Sequence, residues 1–327
     1  MEKVLVTGGA GFVGSILVPS LLERDYNVEI LDSMIHENNY AGVSSCVQGK
    51  PLISHHNFYG LTKGDVVDER LVSECLGRND IVIHLAAIVG APACDKYPEW
   101  ARSTNVEGTR NILRNLSDGQ RIIFASTGSN YGKVEGICTE ETPLDPLSVY
   151  GETKTQAEKD VMERGGIAYR FATAFGVAPR FRMDLLINDF SHKIIEGKHL
   201  DIYQANARRT FIHVSDMTKA FLFGIENYDI MNGESFNVGD ESMNITKGGA
   251  AEMIVSKTLE MRGIDANIWT DEKDERFDPD QRDYEVSYEK IQKVNEGFRT
   301  KVSLEEGIEE LINFCSIINL RNPFSNV

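Results

Sequence analysis

Cysteine is scarce in this chain, with five among 327 residues: Cys46, Cys75, Cys94, Cys138 and Cys315. The number is odd, and no two stand in a CxxC spacing. That excludes a disulfide framework and a zinc ribbon, and no metal site is expected. Basic residues are also under-represented. There are 34 Lys and Arg against 50 Asp and Glu, a formal net charge of −16. Such a surface repels phosphate backbones and anionic lipid, so neither nucleic acid nor a membrane is expected as a partner. An anionic substrate would need a local basic pocket working against the global field. Long apolar runs are missing too, and none approaches the roughly 20 residues that span a bilayer. The first strand-like run begins at Lys3, which leaves no stretch that reads as a signal or transit peptide, so the expected location is the cytoplasm. Internal repeats, low-complexity segments and a GxxxxGK[ST] loop of the ATP-binding kind are all absent.

The composition itself is that of a globular enzyme-sized protein, 41% hydrophobic and 26% charged, long enough for one large core or two domains. Short β-rich runs alternate with helical stretches through the first half. Strands are predicted over 3–7, 28–32, 58–63, 81–85, 121–126 and 167–171, with helices over 12–24, 99–116 and 149–164. That alternation implies βαβ units and a doubly wound parallel sheet of the Rossmann class, covered on both faces. The run IVIHL at 81–85 is apolar enough for a central strand. Pro19 falls inside the first helix, where a kink is expected.

The rhythm changes after about Phe175. Gly176–Arg182 contains Pro179 and basic residues and suits a crossover loop. FIHV at 211–214 reads as a strand, with Ser215 as a helix N-cap. The charged stretch 271–283 reads as an exposed loop. The expected organisation is a dinucleotide-binding domain over 1–175, with a return segment near 208–228. A smaller, discontinuous α/β lobe over 176–327 would cap the carboxyl edge of the sheet and bind substrate in the cleft between them.

Between the first strand and first helix stands Thr7-Gly8-Gly9-Ala10-Gly11-Phe12-Val13-Gly14. Gly9, Gly11 and Gly14 fit GxGxxG, and Gly8, Gly11 and Gly14 fit TGxxGxxG. Either way the glycines permit a tight turn, bring backbone close to a pyrophosphate, and let helix and strand pack tightly. The helix N-terminus then offers free N–H groups and its positive dipole end to the phosphates. Asp32 ends the second strand about 20 residues on, where a carboxylate accepts hydrogen bonds from ribose hydroxyls. It would repel a 2′-phosphate, and Ser33-Met34 supplies no compensating arginine. The cofactor expected is therefore NAD and not NADP.

Tyr150-Gly151-Glu152-Thr153-Lys154 places Tyr150 and Lys154 one helical turn apart on one face. A tyrosine with an ordinary pKa of about 10 is a poor base at neutral pH. A neighbouring ammonium, with the positive charge of an oxidised nicotinamide, favours the phenolate. Lys154 would also hydrogen-bond the nicotinamide ribose. A hydroxyl residue should lie at the end of the preceding strand to hold the reacting oxygen, and Ser126-Thr127 occupies that place.

These residues bring the chain into resemblance with the extended short-chain dehydrogenase/reductases, the nucleotide-sugar epimerase/dehydratase group. The likeness extends over nearly the whole length. It rests on TGGAGFVG, Gly64-Asp65, HLAA at 84–87, NVEGT at 105–109, YGETK, RRTFIHVSD and RDYEVS. The resemblance implies Thr127 as the catalytic hydroxyl, Tyr150 as the base and Lys154 as its partner. It also implies adenine contacts from Asp65 and Val66, and a cofactor lining from Leu85, Ala86, Ala87 and Asn105. Phe12 and Val13 belong to the phosphate-binding turn. Arg209 corresponds to an arginine that binds the substrate diphosphate, and Arg282 to a second arginine near the nucleotide; together they would form the local basic pocket. The stretches LAAIVGAPAC (85–94), RFATAFGVAPRFRMDLLINDF (170–190) and RDYEVS are most similar to bacterial GDP-heptose 4-dehydrogenases of capsule synthesis, which oxidise C4 of the sugar with tightly held NAD.

Departures narrow the expectation. The 4,6-dehydratases carry an Asp-Glu pair directly after the catalytic threonine. Gly128-Ser129 stands there instead, which leaves dehydration without an obvious general acid. Fucose-synthase-like enzymes use a cysteine and a histidine for epimerisation; Cys94 is not at that position and reads as a loop or core thiol. Many 4-epimerases place Asn where this chain has Thr173, a residue expected at the substrate phosphate. The leading expectation is NAD-dependent oxidation at C4 of a UDP-, GDP- or similar nucleotide-sugar, as a 4-epimerase or a 4-dehydrogenase. A non-catalytic NAD(H)-binding protein is the alternative of another class, and retention of both Tyr150 and Lys154 speaks against it. A homodimer is expected through the 99–116 and 149–164 helices. Ile112, Leu113, Leu116, Ala157 and Val161 would face either the partner or the sheet.

Overall fold

The computed structural model describes residues 1–36, 43, 46–47, 50–270 and 283–318. A seven-stranded, wholly parallel sheet forms its centre. The strands are β1 (Lys3–Thr7), β2 (Asn27–Asp32), β3 (Phe58–Lys63), β4 (Ile81–His84), β5 (Arg121–Thr127), β6 (Ile167–Phe171) and β7 (Ser235–Val238). Their spatial order is β7-β6-β5-β4-β1-β2-β3. The order reverses direction at β1 and β4, where Val4 pairs with Ile81 and Thr7 with His84. This is the topological switch point at which doubly wound sheets open a crevice at their carboxyl ends. The interior strands are buried on both faces, and all four residues of β4 and of β7 are buried, as parallel strands flanked by helices must be. β7 was not foreseen from the sequence. SFNV at 235–238 is short and lies far from the alternating first half, so only the tertiary fold brings it beside β6, with Phe236 opposite Tyr169.

One face of the sheet is covered by the helix Gly14–Leu22 and the helix Val214–Glu226, whose Leu17, Leu21, Phe221 and Ile225 share one core cluster. Pro19 sits inside Gly14–Leu22 without ending it. The helix beginning at Val214 is capped by His213 and not by Ser215. The imidazole Nδ1 at the end of the strand Arg208–His213 accepts the Ser215 N–H at 3.3 Å, so Ser215 lies in the first turn. The opposite face is covered by the helices Gly108–Asn115 and Val149–Glu163. Ile112, Leu116, Ala157 and Val161 pack there against Leu5, Val82 and Phe124, with Leu113 partly buried beside them. These residues therefore serve the sheet, and they are not an exposed apolar face for a partner. On its outward side the helix Val149–Glu163 is joined by ion pairs to the helix Pro98–Arg102, through Arg102–Glu152 at 3.1 Å, and to Gly108–Asn115, through Arg110–Asp160 at 2.8 Å.

A second core cluster, with Phe175, Ile187, Phe211, Ile254, Ile308 and Leu311 among its members, unites the helices Leu186–Ile195, Lys247–Arg262 and Leu304–Ile317 beyond the carboxyl edge of the sheet. The segment 176–185 crosses between the two clusters as a loop without helix or strand. No helix among the described residues is long and apolar enough to cross a membrane. The predicted loop over 271–282 lies outside the described residues.

Candidate active site

One cavity opens at the switch point. Its wall includes Gly8, Gly11, Phe12, Val13 and Gly14 from the glycine turn, Asp32 from the end of β2, Asp65 after β3, and Leu85, Ala86 and Ala87 after β4. Thr127, Tyr150, Lys154 and Thr173 line the same cavity. Two glycines have a steric reason to be there. Gly8 has φ +70°, and a Cβ on it would lie 2.7 Å from the Ala86 nitrogen; a Cβ on Gly14 would lie 2.4 Å from the Gly9 carbonyl oxygen. The turn is thus as tight as a side-chain-free backbone allows, and this brings helix N-terminal N–H groups to the cavity.

Asp32 is nearly buried. Its carboxylate accepts the Ala10 N–H at 3.0 Å and the Met34 N–H at 2.8 Å, which fixes its orientation across the turn. Burial raises its pKa above the ordinary carboxylate value, and the two N–H groups oppose that rise. Val66 and Asn105 are not among the residues that line the cavity. The Val66 carbonyl accepts from Asn111 Nδ2 at 3.0 Å. Asn105 sits in a single π turn, Ser103–Glu107, that interrupts the predicted 99–116 helix. Its amide accepts the Ile88 N–H at 2.8 Å and donates to the Ile88 carbonyl and to Thr153 Oγ1, both at 3.0 Å. It therefore ties the loop after β4 to the Tyr150 helix, and its neighbour Thr104 faces the cavity instead. Thr104 Oγ1 is buried and has no hydrogen-bond partner among the described residues. A side-chain-free turn, an oriented carboxylate and an orphaned hydroxyl along one cavity fit a polar dinucleotide.

At the other end, the helix Val149–Glu163 starts on a Ser148 cap, whose Oγ accepts the Gly151 N–H at 3.2 Å. Tyr150, Lys154 and Glu158 follow at intervals of four and share a face. Lys154 is 2% exposed, with its ammonium 3.9 Å from the centre of the Phe124 ring. Burial pulls its pKa down to about 7, against the opposing influence of Cys94 and Glu158. Glu158 is committed elsewhere. It accepts from Arg170 Nε at 2.9 Å and Nη2 at 2.6 Å, from Asn130 Nδ2 at 2.9 Å, and from the Ser126 hydroxyl. This buried network locks the Tyr150 helix to the ends of β5 and β6 and so fixes it relative to Thr127. The Thr127 hydroxyl accepts the Ser129 N–H and donates to Ser129 Oγ, both at 3.1 Å. His84 bridges Thr7 Oγ1 at 2.7 Å and Thr109 Oγ1 at 3.0 Å. Burial, and then the Lys154 charge, push its pKa down to about 3, so it is a neutral strut. Cys94 is a core thiol. Its Sγ donates to the Ile88 carbonyl at 3.3 Å, and burial lifts its pKa to about 12.

The arginines differ most from expectation. Arg209 is buried in the strand Arg208–His213, with Nη1 donating to the Arg208 carbonyl at 2.9 Å, and it does not line this cavity. Arg282 lies outside the described residues; the next residue, Asp283, accepts the Arg208 N–H at 3.1 Å. The guanidinium groups in the wall belong to Arg180 and Arg182, joined by His36 and Trp100. The signal for the two arginines was in view as the basic PRFR of the crossover loop, but nothing local tells which way such a loop folds. The expectation that no arginine stands near Asp32 is thereby corrected. Arg180, 148 positions further along, is close enough for its charge to lower the Asp32 pKa.

Residues 4–239 match the NAD dependent epimerase/dehydratase family. Among curated relatives, the chain is 29% identical over 322 residues to the low-salt glycan biosynthesis protein Agl12 of Haloferax volcanii, covering 95% of this chain and 97% of that one. It is 32% identical over 267 residues to the UDP-glucose 4-epimerase of Halalkalibacterium halodurans, covering 72% and 75%. The same fold is found in the UDP-glucuronic acid 4-epimerase from Bacillus cereus in complex with UDP-glucuronic acid and NAD, with a TM-score of 0.82, 24% identity, and coverage of 96% and 98%. It is found again in the dTDP-glucose 4,6-dehydratase from Bacillus anthracis in complex with NAD, with a TM-score of 0.75, 24% identity, and coverage of 96% of each chain. The cofactor is NAD.

Proposed function

The chain belongs to the NAD-dependent epimerase/dehydratase family, and we propose that this enzyme oxidises C4 of a nucleotide-sugar to the 4-keto sugar. The observation that carries the proposal is that Thr127, Tyr150 and Lys154 line one cavity with the glycine turn and Asp32. Bound NAD supplies the two-electron oxidant. Gly8, Gly11, Phe12, Val13 and Gly14 would hold its pyrophosphate, Asp32 its adenosine ribose, Asp65 and Val66 its adenine, and Leu85, Ala86, Ala87 and Asn105 would line the rest of its site. Tyr150 accepts the proton of the C4 hydroxyl while Thr127 orients that oxygen. Lys154, whose buried ammonium is costly on its own, gains a counter-charge as the phenolate forms.

Release of the keto sugar makes the reaction a dehydrogenation. Rotation of the keto sugar in the cleft and reduction on its other face make it a 4-epimerisation. Similarity to 4-epimerases favours the second outcome, whereas the likeness of 85–94 and 170–190 to GDP-heptose 4-dehydrogenases favours the first. Dehydration is disfavoured, because Gly128 and Ser129 follow Thr127. The carboxylates in the described wall are Asp32 and Asp65, both assigned to the adenosine end. Thr173, which lines the same cavity, is proposed at the substrate phosphate. Arg209, and Arg282 by resemblance, are proposed at the substrate diphosphate. A homodimer would use the outward, ion-paired side of the helices 98–115 and 149–163.

Incubating the purified protein with UDP- and GDP-sugars, while following reduced cofactor by absorbance and product stereochemistry by NMR, tests the proposal. Accumulation of reduced cofactor with a keto sugar marks a dehydrogenase. Inversion at C4 without net reduction marks an epimerase. No change in any C4-hydroxyl nucleotide-sugar overturns both.

A further inference from the structure

Basic side chains gather around the one carboxylate that ends β2. The loop 176–185 is fixed on the glycine turn: Ala178 and Leu185 pack with Phe12 and Val214, and the Arg180 N–H donates to Ser15 Oγ at 3.4 Å. Arg180 is 1% exposed. It lines the cavity with Arg182, and so do Asp32, Ser33, Ile35 and His36 immediately after β2. Proximity is recorded in their mutual charge effects. Burial and then the Arg182 charge lower the Arg180 pKa to about 10. Burial and then Arg180 and Arg182 lower that of His36 to about 4. In a dinucleotide fold the ribose 2′ position lies against the residues that end and follow the second strand. Here the strand supplies one anion, Asp32, and Arg180 from the crossover loop lies near enough for its charge to act on that carboxylate, with Arg182 beside Arg180 in the same wall. Arg182 is partly occupied by Asp184, to which its Nε donates at 3.2 Å.

We propose that Arg180, supported by Arg182, makes the adenosine-ribose end of the cavity competent to hold a 2′-phosphate, and that the Asp32 carboxylate alone keeps it closed to NADP. The inference rests on the cofactor placement given above. A guanidinium matches a phosphate in paired hydrogen bonds. A carboxylate in the same low-dielectric site repels that phosphate and accepts the unmodified hydroxyl. Selectivity is therefore a balance between two opposed charges from different lobes, and removing one should expose the other.

The test is calorimetric titration of the full chain, freed of co-purifying nucleotide, with NAD, NADP, ADP and 2′,5′-ADP. The wild type should bind NAD and discriminate against NADP. Asp32→Asn should tighten NADP and 2′,5′-ADP on the order of 10- to 100-fold, the worth of one charge-assisted hydrogen bond, with no gain for NAD or ADP. Adding Arg180→Met should abolish the gain. Asp32→Ser serves if Asp32→Asn melts early. No gain for NADP in either Asp32 variant overturns the proposal. So does a gain that survives Arg180→Met, or an Arg180→Met loss that is equal for ADP and 2′,5′-ADP, which would assign Arg180 to the 5′-phosphates. Failure of the wild type to bind NAD would instead overturn the cofactor placement itself.

Discussion

The two ends of the cavity hold buried charge in opposite ways. At the end proposed for the adenosine an anion, Asp32, accepts from the Ala10 and Met34 N–H groups, and Arg180 of the crossover loop lies near enough for its charge to act on it. At the reacting end a cation, Lys154, lies over the Phe124 ring, and the carboxylate four residues away is engaged by Arg170, Asn130 and Ser126. Asp32 is held in one orientation by those N–H groups, as the proposed recognition of a ribose hydroxyl requires. Lys154 is left with a charge that burial disfavours, and this poises it to respond when an anion forms beside it. A binding end wants satisfied charge, whereas a reacting end keeps some of it unsatisfied.

Four experiments bear on that contrast. Tyr150→Phe removes the proton acceptor and keeps the ring. Turnover should fall by about 10²- to 10⁴-fold with little change in substrate affinity, and near wild-type turnover on the true substrate would mean the reacting end is misassigned. Arg170→Met leaves the Glu158 carboxylate buried without its main partner. Urea unfolding should show a loss of about 3–5 kcal/mol, and turnover should fall in whatever protein stays folded, because the Tyr150 helix loses its anchor. Thr127→Val should lower turnover less than Tyr150→Phe does, since the threonine orients the oxygen without taking its proton. An equal loss in steady-state kinetics would give it a larger part.

The smallest effect concerns pH. The Lys154 pKa is about 7 in the fold against 10.5 ordinarily. Between those values the unfolded chain binds a proton there that the folded chain does not, so this residue makes stability rise with pH from about 7 to 10.5. Lys154→Met should flatten that part of the nucleotide-free unfolding curve, and an unchanged slope would show that the ammonium is not strained.

Strand positions were legible as short apolar or β-prone runs, whether buried on both faces as in β4 or alternating half-buried and exposed as in the edge strand β3. β1, β3 and β6 run from and to the residues read from the sequence, β2, β4 and β5 differ by a residue at one end, and the strand read at 211–214 runs instead over Arg208–His213. β7 was not legible, because four residues carry no periodicity and its place depends on β6. The glycine turn, Asp32, Tyr150 and Lys154 were legible because their spacings are local: a turn must be tight, and residues four apart on a helix must share a face. Val66 and Asn105, named for the cofactor, are not among the lining residues of the cavity, and the Asn105 amide instead ties Ile88 to Thr153. Arg209 was named and is not among the residues that line this cavity, whereas Arg180 and Arg182, which do line it, went unassigned.

The chain's sequence by itself determined the parallel sheet, the phosphate-binding turn and the Tyr150–Lys154 pair, because each follows from hydrophobic period, glycine sterics or helical spacing over a few consecutive residues. Only the tertiary structure decided which arginines face the cavity, that Glu158 is bound to Arg170, and that Ile112, Leu116, Ala157 and Val161 serve the sheet. Those outcomes depend on how separate elements pack. That the charge of Arg180 reaches Asp32 across 148 positions depends on the packing of the crossover loop on the glycine turn through Phe12, Ala178, Leu185 and Val214, and no local rule of the sequence contains it.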